Sequence, residues 1–207
     1  MEYRYVEVAL CSSSMSDMLR RVVMMMGKVT TPPTYTTWNP SDKTSNVALS
    51  GGNLVATTSG FAGSGVRSVI GKSSGKWYWE ITITTMDDVY AGVSSSGGSL
   101  DPAWSYTTGM GWSGTSGSLY KNNTVVGSPG TYTTGNVLGF ALDMGAGTLE
   151  LFKNNVSAGS FSSLPSGTLH AVCGAGLSGG SGVITANFGA SALTYAPPSG
   201  YNAGLYV

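Results

Sequence analysis

The stretch that most constrains the fold is residues 137–155, with the sequence VLGFALDMGAGTLELFKNN. Its first half alternates in side-chain character, which places Leu138, Phe140 and Leu142 on one face of a strand. Residues 143–147, which include two glycines, separate this strand from a second apolar run. Apolar alternation on both sides of a glycine-bearing turn predicts a β-hairpin.

The same kind of pattern recurs along most of the chain. Residues 76–83 alternate, with two tryptophans and two isoleucines on one face, and short apolar runs separated by turn residues continue to residue 188. Asn39 and Pro40 predict a turn at residues 39–42. Prolines in residues 195–201 predict a tail that wraps the outside. The chain is therefore predicted to be an all-β, two-sheet antiparallel sandwich. The residues expected in its core are Trp79, Ile81, Leu138, Phe140, Leu142, Leu151 and Phe188.

Residues 1–33 differ from the rest and are predicted to form an N-terminal arm with a Thr/Pro linker. Six of the nine methionines fall within residues 1–28. Residues 18–26 carry an apolar stripe at helical spacing, which predicts a short helix ending at Gly27. This helix either lies on the domain or frays in solution, or else it docks on a partner, including a second copy of the chain. Translation from one of the methionines at 24–26 is a third interpretation.

Composition narrows the classes of partner. Charged residues make up 10% of the chain and its net charge is zero, so nucleic-acid binding is not expected. No run of apolar residues is long enough for a membrane span, and charges at Glu2, Arg4 and Glu7 interrupt any secretory signal. Abundant glycine and few charges favour a protein that works in an assembly or on a fixed surface.

Three motifs, in order, resemble the SPRY domain family. They are residues 75–81 (GKWYWEI), the hairpin at 137–155, and residues 169–172 (LHAV) followed by 183–189 (VITANFG). Ala171 departs from the family, which often has proline at that position. The resemblance covers residues 35–205 and implies a concanavalin-like jelly roll, so a SPRY-like domain is expected at residues 34–207.

The resemblance implies a non-enzymatic binding module that binds its partner through loops at one end of the sandwich. The Gly/Ser/Thr/Asn-rich composition is similar to that of SPRY domains in bacteriophage structural proteins. We therefore expect a virion protein that contacts a neighbouring virion protein or a host surface ligand, and that is found in the virion or, before assembly, in the cytoplasm of the producing cell. The alternatives are a free cytosolic peptide-binding adaptor and a carbohydrate-binding or carbohydrate-active sandwich.

The longest irregular stretch of the predicted domain, residues 94–107, is the expected ligand-binding loop. It carries Asp101, Trp104 and Tyr106, and aromatic side chains of this kind are enriched where proteins bind one another. Asp87 and Asp88 are expected to border the same rim. Trp104 folding back onto the sandwich edge is the competing interpretation.

Catalytic, metal and cofactor sites are not expected. The one histidine, His170, and Cys173 are three residues apart on a predicted strand and therefore face opposite ways. Glu80 and Glu150 are the carboxylates with strand positions that could meet across a sheet, but they lack the clustering of a glycosidase site. Asp87 and Asp88 alone are too few ligands for calcium.

Overall fold

The computed structural model describes Met15 and residues 32–59, 63–100, 108–175 and 180–207. The predicted helix at residues 18–26 lies outside the described residues and stays a prediction. The strands of the described domain are β1 (Trp38–Lys43), β2 (Val47–Ser50), β3 (Val55–Thr58), β4 (Ser64–Ser68), β5 (Lys76–Thr85), β6 (Val89–Ser95), β7 (Gly109–Ser113), β8 (Leu119–Lys121), β9 (Thr124–Gly127), β10 (Val137–Asp143), β11 (Thr148–Lys153), β12 (Val156–Phe161), β13 (Leu169–Ala175), β14 (Gly182–Asn187) and β15 (Asn202–Ala203).

These strands form two sheets. Sheet I has the order β1-β4-β13-β6-β7-β8-β9, and sheet II has the order β12-β11-β10-β5-β14-β3-β2, with β15 beside β5. Neighbouring strands pair antiparallel throughout, except that β15 runs parallel to β5. The predicted two-sheet antiparallel sandwich is confirmed.

The core lies between the inner faces of the two sheets. All seven residues predicted to be buried are at most 1% exposed. The rings of Trp79 on β5 and Phe140 on β10 stack with centroids 5.4 Å apart, because these residues are directly paired across the two strands. Strand alternation was therefore a reliable guide to the inner face.

The predicted hairpin is β10–β11, and its turn is stabilised by its first residue. The Asp143 side chain accepts hydrogen bonds from the backbone N–H groups of Gly145 and Ala146, both at 2.9 Å, and forms an ion pair with Lys76. These contacts with donors and with a cation lower the pKa of Asp143. Gly147 has a φ of +65°, which explains a glycine at that position.

The turn predicted at residues 39–42 lies inside β1, so that prediction of non-strand structure was wrong. The Asn39 side chain does accept a hydrogen bond from the Ser41 N–H at 2.9 Å, which is the local turn that the sequence indicates. However, β1 pairs with β4 on both sides of this irregularity, at Trp38 and Lys43. Because β1 is an edge strand, Pro40 removes no hydrogen bond that a further neighbour would need.

The C-terminal segment covers the outer face of sheet II, as predicted for the tail. Glu80 on β5 is 1% exposed, and its carboxylate accepts hydrogen bonds from the backbone N–H groups of Thr194 (2.7 Å) and Tyr195 (2.8 Å). Burial and the adjacent Glu80 carboxylate raise the pKa of Tyr78. Beyond the tail prolines, Asn202–Ala203 add the short parallel strand β15, which was not predicted.

A shortened chain that begins at Thr30 is expected to unfold at the same urea concentration as the full chain. The reason is that the buried apolar residues of the described sandwich fall between Trp38 and Leu205. A second shortened chain that begins at Ser41 is the control, because it loses Trp38, which is fully buried and packs edge-on against Phe188.

Urea unfolding of the three chains measures the contribution of the arm to stability, and size-exclusion chromatography measures the predicted self-association through it. A clear drop in unfolding midpoint for the chain that begins at Thr30 would mean that the arm belongs to the folded core.

Candidate binding surface

Two of the five predicted site residues lie in described structure. Asp87 and Asp88 form the turn between β5 and β6, whereas Asp101, Trp104 and Tyr106 lie outside the described residues. The roles predicted for those three side chains stay predictions. What the structure does show is how the two ends of their connection, between β6 and β7, are held on the sandwich.

Asp87 and Asp88 link the β5–β6 turn to neighbouring connections. Asp88 is 8% exposed and accepts a hydrogen bond from the Thr115 hydroxyl at 3.0 Å. The exposed Asp87 accepts one from the Ser181 N–H at 3.3 Å. A side chain at Gly180 would lie 2.5 Å from the Asp88 nitrogen, so the two backbones pack directly together. These contacts stabilise one end of the sandwich.

The β6–β7 connection starts at the other end of β6. Its base is closed by a hydrogen bond from the Ser95 N–H to the Thr108 carbonyl at 2.8 Å. From there the connection turns back over the outer face of sheet I, so that the Leu100 carbonyl lies 3.3 Å from the Tyr90 hydroxyl. Tyr90 is only two residues along β6 from Asp88. The described connection therefore spans much of the length of β6.

Arg67 on β4 is the main anchor of this connection. The residue is 3% exposed, and its guanidinium forms a bidentate ion pair with Asp42 on β1, at 2.8 and 3.1 Å. It also donates to the Ser94 hydroxyl at 3.2 Å and to the Gly98 carbonyl at 2.8 Å. Four of its five N–H groups are thus used. One side chain joins β1, β4, β6 and the connection.

Tyr90 is a second anchor, and two glycines make room for it. The Tyr90 ring crosses β13 and β4, where a side chain at Gly174 would lie 2.6 Å from its hydroxyl and one at Gly65 3.0 Å from it. The hydroxyl reaches the carbonyls of Ser64 and Leu100. Tyr90, Leu100 and Val172 form a small buried apolar cluster separate from the main core. The connection therefore packs on the sheet through both polar and apolar contacts.

Sequence reasoning missed Arg67, Asp42 and Tyr90. Most of their contacts join residues that are 25 to 31 positions from each other in the sequence, and the contact of Tyr90 with Leu100 is the shorter exception. No local sequence pattern encodes such pairs. One signal was available, since Arg67 is the single arginine after residue 33 and lies in a short strand without other charges. Burying a charged side chain is costly unless it is paired and hydrogen-bonded, so an isolated arginine in such a strand indicates that hydrogen-bond acceptors surround its guanidinium.

The residues considered for catalysis have structural contacts. His170 Nδ1 lies 2.8 Å from the Ser68 carbonyl on the outer side of sheet I, while Cys173 packs in the core and burial raises the pKa of its thiol. Their opposite orientations are confirmed. Glu150 accepts a hydrogen bond from Ser157, on the neighbouring strand β12, and Glu80 holds the C-terminal segment.

Two kinds of feature are absent among the described residues. Nowhere among them do three or more His, Cys, Asp or Glu side chains come together in a way that could hold a metal ion. In that same part of the chain, no helix has the length and apolar character needed to cross a membrane.

Comparison with known proteins agrees with the family resemblance seen in the sequence. Residues 76–190 match the SPRY domain family. The chain is 31% identical to Ran-binding protein 9 of Xenopus laevis over 185 residues, which cover 82% of this chain but only 33% of that protein. The chain therefore spans about a third of the length of this curated relative.

Solved structures show the same fold. The SPRY domain of human HERC1 aligns with a TM-score of 0.65 and 18% identity, covering 72% of this chain and 96% of that one. The TRIM65 PSpry domain aligns with a TM-score of 0.59 and 20% identity, covering 83% and 98%. With more than half of its length matching the family and both sheets in place, this chain belongs to the SPRY domain family.

Proposed function

We propose that this chain is a non-enzymatic protein-binding module that contacts its partner through the β6–β7 connection. SPRY domains are protein-binding modules and generally lack enzymatic activity. In this chain, the residues considered for catalysis are engaged in structural contacts, as described above. Binding by a loop on a stiff sandwich is the function that this arrangement supports best.

The observation that carries the proposal is the anchoring of the connection by Arg67. A buried guanidinium that binds the Gly98 carbonyl and the Ser94 hydroxyl restrains the described start of the connection before any partner arrives. Restraint of this kind lowers the entropy that is lost on binding, so more of the contact energy appears as affinity.

The proposed contact residues are Asp101, Trp104 and Tyr106 in the connection, with Asp87 and Asp88 in the β5–β6 turn. Tryptophan and tyrosine bury a large area with few rotatable bonds, which suits them to the centre of an interface. Asp87 is exposed, while Asp88 is nearly buried and supports the turn.

We propose further that the partner is a neighbouring virion protein or a host surface ligand. This finer proposal draws its support from composition, because 10% charged residues and 31 glycines in 207 suit a protein held in an assembly. The relatives described above include a frog and a human protein, so a free cytosolic adaptor that binds a peptide is the alternative. A glycan ligand is the third possibility, because aromatic rings also stack on sugars.

Trp104→Ala and Tyr106→Ala are each expected to weaken attachment to the partner by at least about tenfold, the effect typical of an interface hot spot. Attachment is measured to purified virus particles, to host cells and to a glycan panel, and thermal unfolding is measured alongside. Val126→Ala is the matched control, because Val126 on β9 is 43% exposed and lies outside the proposed surface.

Weaker attachment at an unchanged melting temperature supports the site, and the target that shows it identifies the class of partner. A lower melting temperature would instead mean that the two rings pack on the sandwich. Unchanged attachment in both variants would move the binding site away from this connection.

A further inference from the structure

Residues 190–201 form a strap on the outer face of sheet II, and the chain on its two sides is fastened together. Phe188 and Leu205 are each 1% exposed and belong to the main core, and the Leu205 N–H donates to the Phe188 carbonyl at 2.9 Å. A side chain at Gly204 would lie 2.1 Å from that carbonyl, so the two backbones are in direct contact. The strap is therefore a loop whose closed base is part of the sandwich.

The strap covers buried residues without being buried itself. The structure describes the whole strap, and none of its residues is buried, whereas Tyr78 and Glu80 beneath it are at most 2% exposed. Gly189 and Gly200, at its two ends, have φ of +100° and +85°, and glycine absorbs large backbone changes without side-chain strain. Segments with few buried apolar contacts are those that open locally while the rest stays folded.

Glu80 on β5 is the main contact between the strap and the sheet. Its carboxylate accepts the Thr194 N–H at 2.7 Å through one oxygen and the Tyr195 N–H at 2.8 Å through the other. The Asn187 side chain on β14 also donates to the Ala192 carbonyl at 2.8 Å. Hydrogen bonds to a charged acceptor are stronger than bonds between neutral groups, so the Glu80 pair contributes most to holding the strap closed.

We propose that the strap opens and closes as one unit about Gly189 and Gly200, with the Glu80 carboxylate as its latch. The open form keeps the base between Phe188 and Leu205 and uncovers the outer face of sheet II around Glu80. The strap is thus a lid over a surface that the closed form hides. It lies on sheet II, whereas the β6–β7 connection lies on sheet I, so opening of the lid does not require the proposed binding surface.

The test is hydrogen exchange of the isotope-labelled full chain, followed by NMR at low urea concentrations. Thr194, Tyr195 and Tyr201 are expected to share one opening that urea hardly changes, while the Leu205 amide exchanges only with global unfolding. The Tyr201 N–H donates to the Pro198 carbonyl at 3.1 Å inside the strap, so this amide reports on the strap without touching Glu80.

Glu80→Gln replaces one acceptor oxygen by a donor and is expected to speed exchange of all three strap amides at least about tenfold, with a much smaller change at Leu205. Cleavage by chymotrypsin after Tyr195 requires the strap to leave the sheet and is expected to accelerate by the same factor. Glu150→Gln is the matched control, because Glu150 on the neighbouring part of sheet II accepts a hydrogen bond from Ser157 and none from the strap.

Four results would overturn the proposal. The first is exchange of the strap amides of the parent chain only through global unfolding. The second is acceleration in Glu80→Gln that is confined to Thr194 and Tyr195, because Glu80 would then hold two amides and not a unit. The third is equal acceleration at Leu205, which would make Glu80 a support of the whole sandwich. The fourth is unchanged cleavage after Tyr195, or an equal effect of Glu150→Gln.

Discussion

Phe140→Ala is expected to lower the free energy of unfolding by about 3–5 kcal/mol, the usual cost of removing a large buried aromatic side chain. Phe140 is fully buried, and its ring stacks on Trp79 at an interplanar angle of 9°. The substitution removes that contact and leaves a cavity between the sheets, which surrounding strands can fill only in part. The effect is measured as the change in the free energy of unfolding from urea denaturation.

Two controls show whether the loss comes from the cavity. Phe140→Leu keeps most of the apolar volume and is expected to cost less than Phe140→Ala. Val156→Ala, at a position that is 69% exposed, is expected to change stability by no more than about 0.5 kcal/mol. An unfolding midpoint equal to that of the parent for Phe140→Ala would contradict the position of this ring in the core.

Asp42→Ala is expected to cost about 3 kcal/mol, because it leaves the buried guanidinium of Arg67 without its counter-ion. The Arg67 side chain is 4% exposed and that of Asp42 is 33% exposed, so the two partners are not equivalent. Removing Asp42, the more exposed partner, leaves an unpaired charge buried inside the protein. Arg67→Met instead removes the buried charge and leaves a carboxylate that water can reach. Arg67→Met is therefore expected to be less damaging than Asp42→Ala.

The double variant Asp42→Ala/Arg67→Met completes the comparison. Because it removes both charges, its stability is expected to be higher than that of Asp42→Ala alone, and urea unfolding of all four proteins gives the coupling energy. If the effects of the two single substitutions simply add, the ion pair between Asp42 and Arg67 has no coupling energy and the expectation is wrong. Hydrogen exchange of residues 95–100 in Arg67→Met then reports whether the connection itself has loosened.

Local sequence pattern predicted the sandwich well because alternating apolar and polar side chains indicate its strands, and a few residue types indicate its turns. The β10–β11 hairpin and the two Asn-Asn turns illustrate this, since Asn122, Asn123, Asn154 and Asn155 all have φ between +49° and +67°. Such turns depend on a few neighbouring residues, and asparagine tolerates the left-handed conformation that they need.

Sequence pattern was an incomplete guide where contacts between segments far apart in the chain determine the local structure. Alternation could not show that Tyr78 and Glu80, on the outer face of β5, are at most 2% exposed because the C-terminal segment covers that face. Pairing with β4 makes Trp38–Lys43 a strand even though an asparagine turn forms inside it. The Arg67 anchor likewise requires β1, β4 and β6 to be assembled first. The sequence predicted a long loop from residue 94, although β6 continues through Ser95, and it could not show what holds the β6–β7 connection on the sandwich.

The pairing of Thr34 with Val207 has a consequence for how the domain can be attached to other structures. Each residue donates its N–H to the carbonyl of the other at 3.1 Å, and Tyr35 lies opposite Tyr206 in the adjoining antiparallel bridge. The points where the chain enters and leaves the sandwich are therefore side by side. A domain with this arrangement can be carried on a single stalk or inserted into a loop of a host protein without pulling its own sheets apart.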